Sequence, residues 1–133
     1  MSNVIPDAFK DLLATKTTFA HLATSMKDGS PQVTPIWFSY DGTHLLVNSA
    51  KGRIKDRNMR ARSQVALSIL DPDNAYRYLQ VIGRVVEITE QGADAHIDSL
   101  ARKYLGKDQY PWRDPTEVRV IYKILPEKAQ TMG

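Results

Sequence analysis

The chain has 133 residues, 42% hydrophobic, 25% charged and 8% aromatic, which fits one globular domain over residues 1–133 and excludes a disordered polypeptide. It contains no cysteine, so disulfides, thiolate catalysis, zinc fingers and cysteine-ligated iron–sulfur clusters are excluded. Net charge is +3, but residues 51–62 hold six basic side chains against Asp56 alone, or +5, and the other 121 residues carry −2.

A compact basic patch suits a discrete anion such as a phosphate-bearing small molecule, whereas nucleic-acid binders spread positive charge along a face. No apolar run exceeds three residues, so neither a membrane span nor a signal-peptide core is expected, and the cytoplasm is the expected location.

Pro6, Asp7 and the apolar Phe9, Leu12 and Leu13 predict a short N-terminal helix. Thr17–Thr24 reads as a strand, Asp28-Gly29 as a hairpin turn, and Gln32–Tyr40 as a second strand. Pro35 places that strand at an edge or bulge, because proline cannot donate to a ladder. Asp41-Gly42 predicts a second turn and Leu45–Ser49 a third strand, which together make an antiparallel meander.

A short helix from Ile54 would put Arg53, Arg57 and Arg60 on one face. Gln64–Leu70 is a fourth strand, Pro72-Asp73-Asn74 a turn, and Tyr76–Thr89 a long strand bent or bulged at Gly83. Gln91–Gly106 has helical periodicity through Ile97, Leu100 and Tyr104, with Gly106 as its cap. A loop over 107–115 carries Trp112 between two prolines, and Glu117–Leu125 alternates as the last strand with Val118, Val120, Tyr122 and Ile124 on one face. The expected architecture is mainly β (α+β): six antiparallel strands closed or nearly closed into a small barrel, with short flanking helices.

The segment Asn48–Asn58 leaves a strand, passes Gly52 and enters a helix. Helix-start amides together with the bidentate fork of Arg53 and the point charge of Lys55 could grip a phosphoryl group, and Asn58 could orient either cation. The same residues also read as a solvated charge run, and residue types alone leave both readings open. His21, His44 and His96 have no partners at metal or triad spacing and read as structural; Asp71 and Asp73 read as turn residues. No metal site is expected. Trp37 and Phe38 read as core or interface residues, and Trp112 as a pin for its loop or a cover over a ligand.

The R-x-K-x-R-N-M element from Arg53, with the upstream block Thr24–Phe38 that carries G-x-P-x-V-x-P-x-W-F, resembles the pyridoxamine-phosphate-oxidase-like split-barrel family. More narrowly, it is similar to the flavin/deazaflavin oxidoreductases whose members use coenzyme F420. The resemblance implies a six-stranded FMN-binding split barrel that forms a homodimer, with cofactor sites at the subunit interface. Arg53 and Lys55, supported by Asn58, would then hold the cofactor phosphate, and Val33, Thr34, Pro35 and Ile36 would lie along the ring. Asn48 and Ser49 would close the pocket side, Lys51 and Arg57 would line a groove for an acidic tail, and Tyr76 and Tyr78 would add an aromatic strand.

The implied function is an F420-dependent reductase that transfers hydride between the deazaflavin and a small conjugated or heterocyclic substrate. FMN is the alternative cofactor, in an oxidase or reductase of the pyridoxamine-phosphate-oxidase type, and a non-enzymatic flavin- or haem-binding protein is a further alternative. Hydride transfer is the cofactor's own chemistry, so no dedicated catalytic acid or base is expected.

Overall fold

The structure is a computed structural model that describes residues 4–133. Pro6 precedes a single 3-10 turn, Asp7–Phe9, and after Lys10 the chain continues as the short helix α1, Asp11–Ala14. Phe9, Leu12 and Leu13 are buried as the apolar stripe predicts, and α1 packs against two strands, β3 (Phe38–Tyr40) and β5 (Gln64–Asp71).

Seven strands form one antiparallel sheet in the order β2-β1-β5-β6-β7-β4-β3. The remaining strands are β1 (Ala20–Ser25), β2 (Pro31–Ile36), β4 (Leu45–Ala50), β6 (Asn74–Thr89) and β7 (Arg119–Met132). β2 and β3 are the two edges of this sheet, yet only Trp37 separates them in the chain. Edges joined by one residue force the sheet to curl into a half-barrel.

The same junction explains why there are seven strands where the sequence predicts six. The run Gln32–Tyr40 breaks at Trp37, so that its first half pairs with β1 and its second half with β4. Pro35 lies opposite His21 on the edge strand β2, a position where its missing donor is tolerated.

The concave side is filled by alternating residues. Leu22, Leu67 and Val81 form one cross-strand row, Val47 meets Tyr122, Leu45 meets Ile124, and all seven are essentially inaccessible to solvent. β7 runs seven residues past its predicted end at Leu125. Pro126 pairs with Gly83 at a bulge, where a Cβ on residue 83 would lie 2.8 Å from both Ile124 Cγ2 and the Leu125 carbonyl oxygen. The glycine therefore lets the proline pass without ending the ladder.

Helix α2 spans Ile54–Ala61 and α3 spans Ala93–Leu105. α3 ends at Gly106, whose φ of +69° and N–H directed to the Ala101 and Arg102 carbonyls make the expected cap. It packs on β4 and β7 through Ile97, Leu100 and Ala101. The Asp71–Asp73 turn is a hydrogen-bonded and ion-paired corner: Asp71 accepts from the Asp73 N–H, Lys16 and Arg77. No helix among the described residues is long and apolar enough to cross a membrane.

Candidate functional site

The basic segment begins where β4 ends. Lys51 N–H donates to the Val118 carbonyl, Gly52 turns the chain, and Arg53 is the extended N-cap of α2. Asp56 then locks the turn, accepting from Gly52 N–H at 2.8 Å, Arg60 Nε at 2.9 Å and the Tyr122 hydroxyl of β7. Burial alone would raise the Asp56 carboxyl, but these donors outweigh it and hold the pKa below its ordinary value. The one acid in the basic run is therefore the tie between α2 and the barrel.

Beside this turn lies a cleft of about 210 Å³. It is lined by the cations Arg53, Lys55 and Arg119, the aromatics Trp37, Tyr110 and Trp112, and Pro35 and Ile36, with the Arg119 guanidinium 5.3 Å from the Tyr110 ring centroid. Lys55 is half-buried and makes no hydrogen bond or ion pair among the described residues. Burial, followed by the charges of Arg53 and Arg119, pushes its pKa below the usual lysine value. An unpaired ammonium beside two guanidinium groups is a site that favours an anion.

Arg53 Nη2 donates to Glu117 Oε2 at 2.7 Å, while Arg119 Nη1 stands 3.6 Å from Glu117 Oε1. Two of the three cations thus share one carboxylate, and Lys55 has none. The aromatic cluster is continuous. Trp37 stacks on Tyr104 with centroids 5.2 Å apart and planes 5° from parallel, and Tyr110 meets both Trp37 and Trp112 edge-on. Tyr104 also accepts from Phe38 N–H and donates to the Thr18 carbonyl, which fixes the junction between β2 and β3.

Of the residues singled out in the sequence, Pro35, Ile36, Asn48, Arg53 and Lys55 come together around this cleft. Thr34 Oγ1 and Ser49 Oγ are buried without a partner among the described residues, and Val33 is exposed on β2. Lys51 pairs with Glu90 in solvent, and Arg57 is exposed on α2. Asn58 is buried against the barrel: its amide donates to Thr24 Oγ1 and Met26 Sδ, and its oxygen accepts from Arg62. Tyr76 is exposed, and Tyr78 pairs with Met132 at the opposite end of β7 from Arg119. Trp112 lines the cleft, 62% exposed, rather than sitting under its loop.

Arg119, Tyr110 and Ile97 are cleft residues that sequence reasoning missed. Strand alternation puts Arg119 on the face opposite Val118 and Val120, which reads as solvent-facing. Only α3 and the loop after it, packed over the start of β7, make that face an interior. The three histidines also separate here. His21 is exposed, His44 caps the Asp41 turn, and His96 is half-buried between Ser39 Oγ at 2.9 Å and the Asn48 amide at 3.1 Å. Among the described residues no three carboxylate or histidine groups gather into a metal site.

A curled antiparallel sheet with a cationic turn beside a cluster of aromatic rings defines a split-barrel protein. Residues 5–132 match the family model for pyridoxamine 5'-phosphate oxidase, and the chain belongs to that family. Among solved structures it is similar to an F420 reductase, with 36% identity and a TM-score of 0.84 over 95% of this chain and 98% of that one. A conserved hypothetical protein of Mycobacterium tuberculosis shares the fold at 22% identity and a TM-score of 0.73, over 97% of this chain and 85% of that one. HupZ of Group A Streptococcus does so at 19% identity and a TM-score of 0.66, over 96% and 93%. No curated protein matches the sequence. Family and relative together indicate an oxidoreductase of the flavin type.

Proposed function

We propose that this protein is a coenzyme F420-dependent reductase that acts on a small conjugated or heterocyclic substrate. The observation that carries the reading is the cleft itself, where half-buried Lys55, without a counterion among the described residues, stands with Arg53 and Arg119 beside a cluster of aromatic rings. The donor set fits a phosphorylated ring cofactor. Cations at the start of α2 would hold the phosphate, with the helix-start amides adding partial positive charge. The 36% identity to an F420 reductase over nearly the whole chain supports the deazaflavin as that cofactor.

When bound, the deazaflavin supplies the hydride chemistry. The protein's part is to bind, orient and exclude water. In this reading the backbone of Val33–Ile36 runs along the ring, Trp37 and Trp112 limit the space above it, and Lys51 and Arg57 attract the acidic tail.

Two further features belong to the same proposal. The protein acts as a homodimer, and the partner supplies Tyr76 and Tyr78 to the cleft. The position of these tyrosines supports this: within one subunit they lie at the far end of the long β6–β7 ladder from Arg119, and Tyr76 is 76% exposed.

The experiment is a titration of the purified protein with the deazaflavin and with FMN, read by absorbance and fluorescence. Tight binding of the deazaflavin, and its oxidation on adding an acceptor substrate, is the expected result. Tight binding of FMN alone overturns the cofactor assignment.

A further inference from the structure

Arg119 is 9% exposed, and two of its three nitrogens differ sharply in their surroundings. Nε donates to Asn48 Oδ1 at 2.9 Å. Nη1 is enclosed by protein, without a hydrogen bond among the described residues, 3.6 Å from Glu117, which Arg53 already holds, and the guanidinium carbon lies 5.3 Å from the Tyr110 ring centroid. Nη2 also has no hydrogen bond among the described residues but is not enclosed, which leaves a guanidinium N–H open to an acceptor from the cleft. Arg119 lines the same cleft as Lys55 and Arg53.

The orientation of this guanidinium is set by a chain of hydrogen bonds whose polarity can be deduced. Arginine can only donate, so the Asn48 atom facing Nε is the oxygen. The Asn48 amide nitrogen then points the other way, donating to the Ala93 carbonyl at 2.9 Å and to His96 Nδ1 at 3.1 Å. His96 Nδ1 must therefore accept, the imidazole is neutral with its proton on Nε2, and Ser39 Oγ accepts from Nε2 at 2.9 Å. Burial and the nearby Arg119 charge keep His96 neutral down to about pH 4. Asn48 is thus engaged on both faces of its amide, and it acts on the cleft through Arg119.

We propose that Arg119 is a third phosphate-binding cation, aimed by the Asn48–His96–Ser39 chain so that Nη2 reaches the anion held by Arg53 and Lys55. The inference rests on the reading of the cleft as a cofactor phosphate site and adds a residue to it. Arg53 and Arg119 share Glu117 and Lys55 has no counterion among the described residues, so the group keeps a surplus of positive charge suited to a phosphoryl group. His96 is a positioning residue: it touches no ligand and keeps the Asn48 oxygen toward Arg119.

The test titrates inorganic phosphate, followed by phosphorus NMR, and separately the deazaflavin and FMN, into wild type and variants. Arg119→Gln should weaken phosphate and the bound cofactor by about tenfold or more, the effect of one charge-assisted hydrogen bond, and Arg119→Lys should fall between. His96→Leu should follow Arg119→Gln, whereas His96→Asn, whose oxygen replaces Nδ1 as acceptor, should restore binding. Wild-type affinities in a folded Arg119→Gln protein overturn the proposal. Should that variant not fold, equal binding by His96→Leu and His96→Asn overturns it. If wild type binds neither cofactor but its phosphate affinity depends on Arg119, the cofactor reading fails and the Arg119 assignment stands.

Discussion

The Tyr122 hydroxyl donates to Asp56 Oδ1, joining the middle of β7 to the first turn of α2 across 66 positions of chain. Both residues are buried, and the same carboxylate receives the Gly52 N–H and Arg60 Nε. This contact fixes where the cationic turn sits relative to the barrel. Replacing Asp56 with Ala strands the buried Tyr122 hydroxyl, at about 1–3 kcal/mol, and also removes the acceptor of the Gly52 N–H and of Arg60. The expected outcome is a stability loss of about 3 kcal/mol by urea unfolding together with weaker anion binding. Unchanged cofactor affinity would show that the turn does not need this anchor.

The Arg53→Ala, Lys55→Ala double variant should lose several kcal/mol of cofactor affinity, at about 1.5–3 kcal/mol for each charged hydrogen bond, while its melting temperature changes little. Normal binding would remove the phosphate site from α2.

Lys55 carries an opposite stability effect. Burial and the charges of Arg53 and Arg119 work against its charged form, and it has no counterion among the described residues. Lys55→Met should therefore stabilise the ligand-free protein by about 1 kcal/mol while weakening the cofactor, the trade-off expected where binding groups are kept unpaired. Thermal unfolding with and without ligand checks both halves, and a loss of stability without ligand would contradict the electrostatic reading.

His96 gives a pH dependence whose sign is set by its depressed pKa, about 4 against an ordinary 6.5. The unfolded chain takes up a proton that the native site refuses. Its stabilising share is fully present above pH 6.5 and is lost as pH falls toward 4. The amount is on the order of 3 kcal/mol. Urea midpoints for wild type and His96→Asn should converge as pH drops through this window, and parallel curves would show that the imidazole does not titrate there.

Gly83→Ala tests the bulge. The added methyl would meet a backbone carbonyl that cannot turn aside, 2.8 Å away, so a loss of about 1–3 kcal/mol is expected. A neutral result would mean that β7 can shift at Pro126.

Much of this fold is local chemistry and was legible residue by residue. Asp28-Gly29 and Asp41-Gly42 turn the chain where expected, Gly83 marks the bulge, and the periodicity of Ile97 and Leu100 with Gly106 as cap describes α3. Arg53 and Lys55 were readable as an anion site because strand, glycine and helix follow one another directly. Asn58 belongs to the same motif but is buried with Asp56 and Met59 on the side of α2 that packs on the barrel, where Thr24 takes its amide. Trp37 was hidden inside an apparently continuous strand, because alternation records burial and says nothing about which neighbour a strand pairs with.

The residue order by itself determined the strands, their turns, the closing helix and the basic corner, since each depends on neighbours a few positions away. Tertiary structure alone decided that the sheet edges meet at Trp37, that α3 and its following loop cover the outward side of β7, and that Arg119 is consequently enclosed beside Lys55. Those facts depend on contacts between segments dozens of residues apart. Strand periodicity assigns a side chain to one face of a sheet, but what packs over that face is determined only when the chain folds back on itself.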